Sequence, residues 1–335
     1  MFNQPADPSK LSIEENLFYS GQVRIRKQKK SLFMEKIVTS RLAPSNFFNC
    51  MIEMLLLKKL KHENLINCID IQIKDSEIYI LKQTNEEIIS LKKILSNKRL
   101  STNQIKYILY QLFSLLAYLH LNGIVARGIN SDNIFITQNV NIFLTDLSSA
   151  KLVNLSNNNG KDYFVNTKYS SPEIFLSPNK NYEASDIWSI GCIFYELITG
   201  QTLFNSSNPF QYLQEVIRKL GSPQDDEIDF ISEKGTKRWI KSRSNFRKIN
   251  ISDLLQNNND SEMIDLLSKC LQFDPKKRIS AQEALKHSFF NDLYDPFEAS
   301  MNLSDDIDKA FVDKLQNESN YSNAMNLVLE TIQIF

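Results

Sequence analysis

The chain has 335 residues, 42% of them hydrophobic, with 39 basic and 39 acidic side chains. That length and apolar share suit two packed lobes and exclude a wholly disordered chain. A formal charge of zero excludes a global field that would draw the protein to nucleic acid or acidic lipid. Cys50, Cys68, Cys192 and Cys270 are far apart, with no C-x-x-C, which predicts buried free thiols in a reducing compartment. The opening MFNQPADPSKLSIEEN lacks a basic stretch followed by an apolar one, so no secretion signal is expected. No run of about 18 apolar residues predicts a membrane-spanning helix.

In chain order, LFMEKIVTS and EIYILKQT are short apolar runs bounded by charge, the pattern of strands. Between them FFNCMIEMLLLKKLKHENL carries apolar residues at helical spacing. STNQIKYILYQLFSLLAYLHLNG opens on a Ser-Thr cap signal and closes on Asn-Gly, predicting a helix. NIFIT and NIFLTD predict two further strands, followed by the polar, asparagine-rich loop NLSNNNGKDYF. SDIWSIGCIFYELITG is apolar nearly all round, which predicts a buried helix capped by Ser185 and ended by Gly200. QNNNDSEMIDLLSKCLQ and SAQEALKHSFF predict two more capped helices. The result is a β-rich part of about 85 residues followed by a helical part.

Several motifs then stand in order: Lys36 in FMEK, Glu53 on the following helix, ARGINSDN, Asp146 opening DLS, SPE at Ser171–Glu173, DIWSIGC and DPKKRIS. Together they resemble the eukaryotic protein kinases from about Ser12 to Phe290. KHENLI, LGSPQDDEI and FDPKKRISAQEALKHSFFNDLYDP resemble the MAP kinase and cyclin-dependent kinase group within them. The resemblance implies an α+β, bilobal fold, with a β-rich small lobe and a helical large lobe. Its expected divisions are an extension at 1–11, a small lobe at 12–84, a large lobe at 85–291 and a tail at 292–335. MNLVLETIQIF in that tail looks like the MAP kinase helix that returns to the small lobe.

The same resemblance assigns the working positions. NLFYSG stands where a glycine-rich loop would cradle phosphates; Asn16 and Phe18 replace two glycines, while Gly21 and Val23 remain. Lys36 and Glu53 match the ion pair that positions phosphates, or a tether of helix to sheet. Met34 and Phe135 stand on opposite sides of the adenine slot, either narrowing it or packing together as core. Lys82 falls at the gatekeeper position. A lysine there is buried and needs a partner, with Glu53 and Asp146 the candidates, unless a one-residue shift turns it to solvent. Asn133 and Asp146 match two magnesium ligands, or serve local turn bonding. No cofactor is firmly implied; ATP and magnesium are the candidates.

Gly128 occupies the position of the catalytic base, which predicts that no residue fills that role. A positioned base contributes about 10²–10⁴ in rate. Asn130 replaces the loop lysine, Ala126 the spine histidine, and Asp132 is the nearby carboxylate. In the activation segment Lys161-Asp162-Tyr163 stands for Thr-x-Tyr, so the usual phosphorylation switch is absent. Arg127 and Lys151 remain where the phosphothreonine would be gripped, and Tyr163 stays a candidate phosphorylation site. Ser170 replaces the MAP kinase arginine before A-P-E. Glu173 and Arg278 match the large-lobe ion pair, and Asp186 the brace of the catalytic loop. Asp295 and Glu298 lie where MAP kinases hold an acidic docking site for basic peptides, or form a solvated acidic tail.

The sequence therefore predicts a MAP-kinase-like pseudokinase that scaffolds or regulates a partner, with nucleotide binding weak or absent. The alternative is a weakly active or unconventional ATP-dependent serine/threonine kinase. Expected partners are proteins (a kinase, its substrate or a regulator), with no nucleic acid and no membrane. The expected location is cytoplasmic, nuclear or both.

Overall fold

The computed structural model describes residues 13–18, 21–28, 31–39, 44–74, 77–84, 86–153, 167–177, 182–243, 246–255 and 260–295. Side chains are described from residue 52 onward within those ranges, except at 67, 71–74, 77–78 and 182. The N-terminal extension, the stretch from 154 to 166 and the tail from 296 lie outside them, and with them Lys161, Tyr163 and Glu298.

The small lobe is an antiparallel sheet of β1 (Ile13–Phe18), β2 (Gly21–Gln28), β3 (Ser31–Thr39), β4 (Asn67–Lys74) and β5 (Glu77–Thr84), in the order β1-β2-β3-β5-β4. Helix α1 (Pro44–Lys59) connects β3 to β4. Its spacing buries Ile52, Glu53, Leu56 and Leu60. In β5 the alternation of side chains puts Ile80, Lys82 and Thr84 on the buried face, leaving Tyr79, Leu81 and Gln83 half-buried.

The large lobe opens with β6 (Ile88–Ser90), α2 (Leu91–Leu95) and α3 (Thr102–Leu121). Ser101 and Gln104 form a reciprocal capping box at the start of α3, as its sequence predicts. At its end Gly123 turns the chain at φ +68°, where a side chain would be strained. β7 (Ile124–Val125), β8 (Ile134–Thr137), β9 (Ile142–Leu144) and β10 (Lys151–Leu152) carry the loops between the lobes. Sheet β6-β8-β9 and the pair β10-β7 frame them. The main chain joins the lobes directly: Leu144 N donates to Asn64 O at 2.8 Å, and Ile66 N to Leu144 O at 3.3 Å.

Helices α4 (Pro172–Leu176), α5 (Tyr182–Thr199), α6 (Pro209–Leu220), α7 (Lys234–Ser242), α8 (Ile251–Leu254), α9 (Ser261–Cys270) and α10 (Ala281–Leu285) complete the lobe. α5 is the buried axis: Ile187, Trp188, Ile190, Ile193, Phe194 and Leu197 are all inaccessible. The expected cap at Ser185 is corrected here. The helix already begins at Tyr182, because Tyr-Glu-Ala continues it for another turn with an acid in the first turn, and Ser185 is an interior, buried position. Gly200 ends the turn after α5 at φ +68°, as expected. Cys192 and Cys270 are buried free thiols and Cys68 is a half-buried one. Among the described residues no helix is long and apolar enough to cross a membrane.

Candidate functional site

The loop from Ala126 to Asn133 is shaped mainly by its backbone. Asp186, fully buried on α5, accepts Ala126 N and Arg127 N at 2.8 Å each, and His120 Nε2 lies 3.0 Å away. A carboxylate facing three N–H donors needs no further counter-charge to be stable when buried. This grip holds Arg127 at φ +57°, a left-handed conformation that costs a non-glycine residue about 1–2 kcal/mol. Arg127 Nε donates to Ser149 O at 2.8 Å, tying the loop to the segment after Asp146.

Gly128 sits at the centre. Its carbonyl accepts Asn130 Nδ2 at 2.8 Å and Asn133 Nδ2 at 2.7 Å. Asn130, at the position of the family's loop lysine, turns its other side-chain atom inward as well. Its Oδ1 accepts Asp132 N at 2.9 Å and Asn133 N at 3.2 Å. Asn130 is thus a loop brace. Asp132 is turned to the surface, where it meets Lys92 of α2 at 2.8 Å. Ala126 is buried, as a spine position should be.

The two candidate magnesium ligands lie on neighbouring chain segments, since Thr145 N donates to Asn133 O at 3.0 Å. Asn133 Oδ1 accepts Asn130 N at 3.0 Å, and Asp146 Oδ1 accepts Ser148 N at 2.8 Å. Each oxygen has a second lone pair, so the donor set fits a hard cation in kind. NLFYSG forms the end of β1 and the start of β2, with Phe18 paired to Gly21. Val23, Met34 and Lys36 lie on β2 and β3 in one register, with Lys36 opposite both Val23 and Ile80, and Met34 opposite Lys82. Phe135, on β8, is buried.

Lys82 resolves its two sequence readings. It faces inward with 1% of its side chain exposed. Its ammonium donates to Glu53 Oε1 and to the carbonyl of Thr145, both at 2.5 Å. Of the two predicted partners Glu53 is the carboxylate it meets, and the second bond goes to the backbone beside Asp146. A charge this deep is tolerated because both its partners are oxygen acceptors at short range.

The scaffold positions fall into place. Arg278 clamps Glu173 with both terminal nitrogens, the Nη2–Oε2 distance being 2.7 Å, and its guanidinium stacks 4.9 Å from the centre of the Trp188 ring. Tyr212 donates to Ser170 O. Missed in the sequence is a buried polar cluster beneath the loop: Ser131 Oγ meets Tyr169 OH at 2.9 Å and donates to Glu196 Oε1 at 3.2 Å, while Tyr169 OH donates to Glu196 Oε2 at 2.8 Å. Burial raises the Glu196 carboxyl above its ordinary range, against the two hydroxyl donors that lower it. The available signal was Glu196 in the largely apolar second half of α5. Lys151 is half-buried on β10, and Asp295 is exposed at the end of the described chain.

The protein kinase domain family matches residues 20–290. This chain belongs to the eukaryotic protein kinases. Its relatives place it in the MAP kinase group. It is 36% identical over 246 residues to mitogen-activated protein kinase HOG1A of Wallemia ichthyophaga, a match covering 73% of this chain and 66% of that protein. It is 35% identical over 246 residues to mitogen-activated protein kinase sty1 of Schizosaccharomyces pombe, covering 73% of this chain and 68% of that one. Extracellular signal-regulated kinase 1 of Dictyostelium discoideum is 32% identical over 251 residues, covering 73% of this chain and 47% of its own length. This kinase chain therefore spans only part of each relative.

Proposed function

We propose that this MAP-kinase-group protein acts in phosphorylation signalling by binding proteins, its phosphoryl transfer lost or reduced to a trace. The observation that carries the reading is Gly128, which offers the loop a carbonyl already engaged by Asn130 and Asn133, and no carboxylate. Without an oxygen to orient the substrate hydroxyl, about 10²–10⁴ in rate is forgone. The partners are proteins, in cytoplasm, nucleus or both. Asp295 and Glu298 are the proposed contact for a basic linear peptide. The proposed divisions are an extension at 1–11, lobes at 12–84 and 85–291, and a tail at 292–335.

A second reading, an unconventional serine/threonine kinase, has the comparisons on its side. Its relatives are named as kinases, and none of those above is named as inactive. By that measure the kinase is the better supported reading; loss of activity rests on Gly128, with the replaced glycines at Asn16 and Phe18 and the altered Lys161-Asp162-Tyr163 pointing the same way. Lys36, Glu53, Asn133 and Asp146 would serve it together, holding nucleotide and magnesium.

A thermal-shift titration with ATP and magnesium, followed by a γ-phosphate transfer assay against a Lys36→Met control, separates the two. Ligand at 100 times its dissociation constant should add about 2.7 kcal/mol. Lys36-dependent transfer to a peptide supports the kinase and overturns the first reading. A shift without transfer supports a nucleotide-sensing binder, and neither a shift nor transfer supports a binder independent of nucleotide.

A further inference from the structure

A second surface of the large lobe carries a run of cations. From Lys234 to Lys248 the chain carries seven lysines and arginines and no carboxylate. Five carboxylates precede it, between Asp225 and Glu233. Three of these cations are paired with three of those carboxylates. Lys237 meets Asp229 at 3.5 Å, Lys241 meets Asp225 at 2.7 Å and Lys248 meets Glu227 at 2.8 Å. Among the described residues no carboxylate lies within ion-pairing distance of Lys234, Arg238, Arg243 or Arg247, and all four are exposed. On α7, Lys234 and Arg238 are one turn apart and share a face with the paired Lys241, away from the buried Ile240. The main chain brings the later pair to the end of the same helix. Ser222 N donates to Phe246 O and Phe246 N to Ser222 Oγ, at 3.0 Å each, beside the Lys241–Asp225 pair. Phe246, 47% exposed, adds an apolar contact next to Arg247.

We propose that this strip, Lys234, Arg238, Arg243 and Arg247 with Phe246, docks an acidic linear peptide of a partner protein. The charge pattern selects that occupant. A wide anionic surface, a bilayer or a duplex, would meet the flanking carboxylates as well as the cations, and the whole patch is nearly balanced. A single extended chain is narrow enough to follow the four cations that carry no ion pair among the described residues, passing the flanking carboxylates Glu233 and Asp225. An acidic peptide with one bulky apolar residue could also cover Phe246. The site is independent of the nucleotide cleft and of whether the protein transfers phosphate.

The test is fluorescence anisotropy of the full chain with a fluorescein-labelled oligoglutamate peptide bearing one leucine, at low salt. Binding is expected, and should weaken as salt screens the strip. Lys234→Glu/Arg238→Glu should weaken it about tenfold or more, and Lys234→Gln/Arg238→Gln by less, as graded loss of surface charge requires. Phe246→Ala should weaken binding of the leucine peptide more than that of plain oligoglutamate. A reversal elsewhere, Lys286→Glu, should leave binding unchanged. The unfolding midpoint of each variant guards against misfolding. No binding, equal loss with Lys286→Glu, no effect of the α7 variants, or tighter binding to phosphatidylserine vesicles or duplex DNA than to the peptide would each overturn the proposal.

Discussion

Lys82 Nζ lies 2.5 Å from Glu53 Oε1, with 1% and 0% of the two side chains exposed, so strand β5 of the small lobe's sheet is pinned to helix α1 by a buried ion pair. The same ammonium reaches Thr145 O, which binds the pin to the segment that carries Asp146. Removing one partner should leave an uncompensated charge. Lys82→Met is expected to destabilise the protein by about 3–5 kcal/mol, and Lys82→Met/Glu53→Gln to recover much of that. Guanidinium unfolding measures both; equal losses in the single and double variants would contradict a coupled pair.

Restoring the missing carboxylate is the direct test of the loop. A Cβ on Gly128 would stand 3.1 Å from Ser149 Cβ, closer than ordinary packing, so Ser149 must yield by a few tenths of an ångström. Gly128→Asp/Ser149→Gly relieves that contact. If the base is what the chain lacks, this variant should raise γ-phosphate transfer by about 10² or more over the parent. No gain, with nucleotide binding intact, would place the deficit elsewhere.

The Glu173–Arg278 clamp should be indispensable to the large lobe. Arg278→Ala is expected to cost about 3–5 kcal/mol by leaving Glu173 buried and unpaired. Arg278→Lys should recover little, because a single ammonium cannot reproduce the two-nitrogen grip or the stacking on Trp188. Urea midpoints of the two variants give the comparison; full rescue by lysine would argue for charge alone.

His62 gives a pH dependence whose sign is fixed by its surroundings. Its ring lies 5.1 Å from that of Tyr118, and its Nδ1 accepts Asn64 N at 3.1 Å, a bond that the neutral ring alone can make. Burial lowers its pKa from 6.5 to about 4. The unfolded chain therefore takes up the proton first as pH falls, and the stability His62 contributes, complete above 6.5, is lost on the way down to about 4. Relative to the parent, His62→Gln should show a flatter fall of unfolding free energy across that window. Unchanged steepness would remove His62 from the account.

The elements were legible where one local rule decided them. Ser101 and Gln104 announce the start of α3, and the apolar wall of α5 announces a buried axis. Ser185 misled because a good cap residue is also tolerated inside a buried helix, where its neighbours set the boundary. At the site, the family resemblance placed Lys82 at the gatekeeper position with Glu53 and Asp146 as candidate partners, yet only the tertiary structure chose Glu53 as its carboxylate. The Ser131–Tyr169–Glu196 cluster joins residues far apart in the chain through burial, which periodicity does not report.

Asp186 moulds the loop through amide hydrogens that every residue except proline possesses. The mould therefore holds the loop whatever side chain occupies position 128; what limits that side chain is its neighbour Ser149, whose Cβ would stand 3.1 Å from a Cβ placed there.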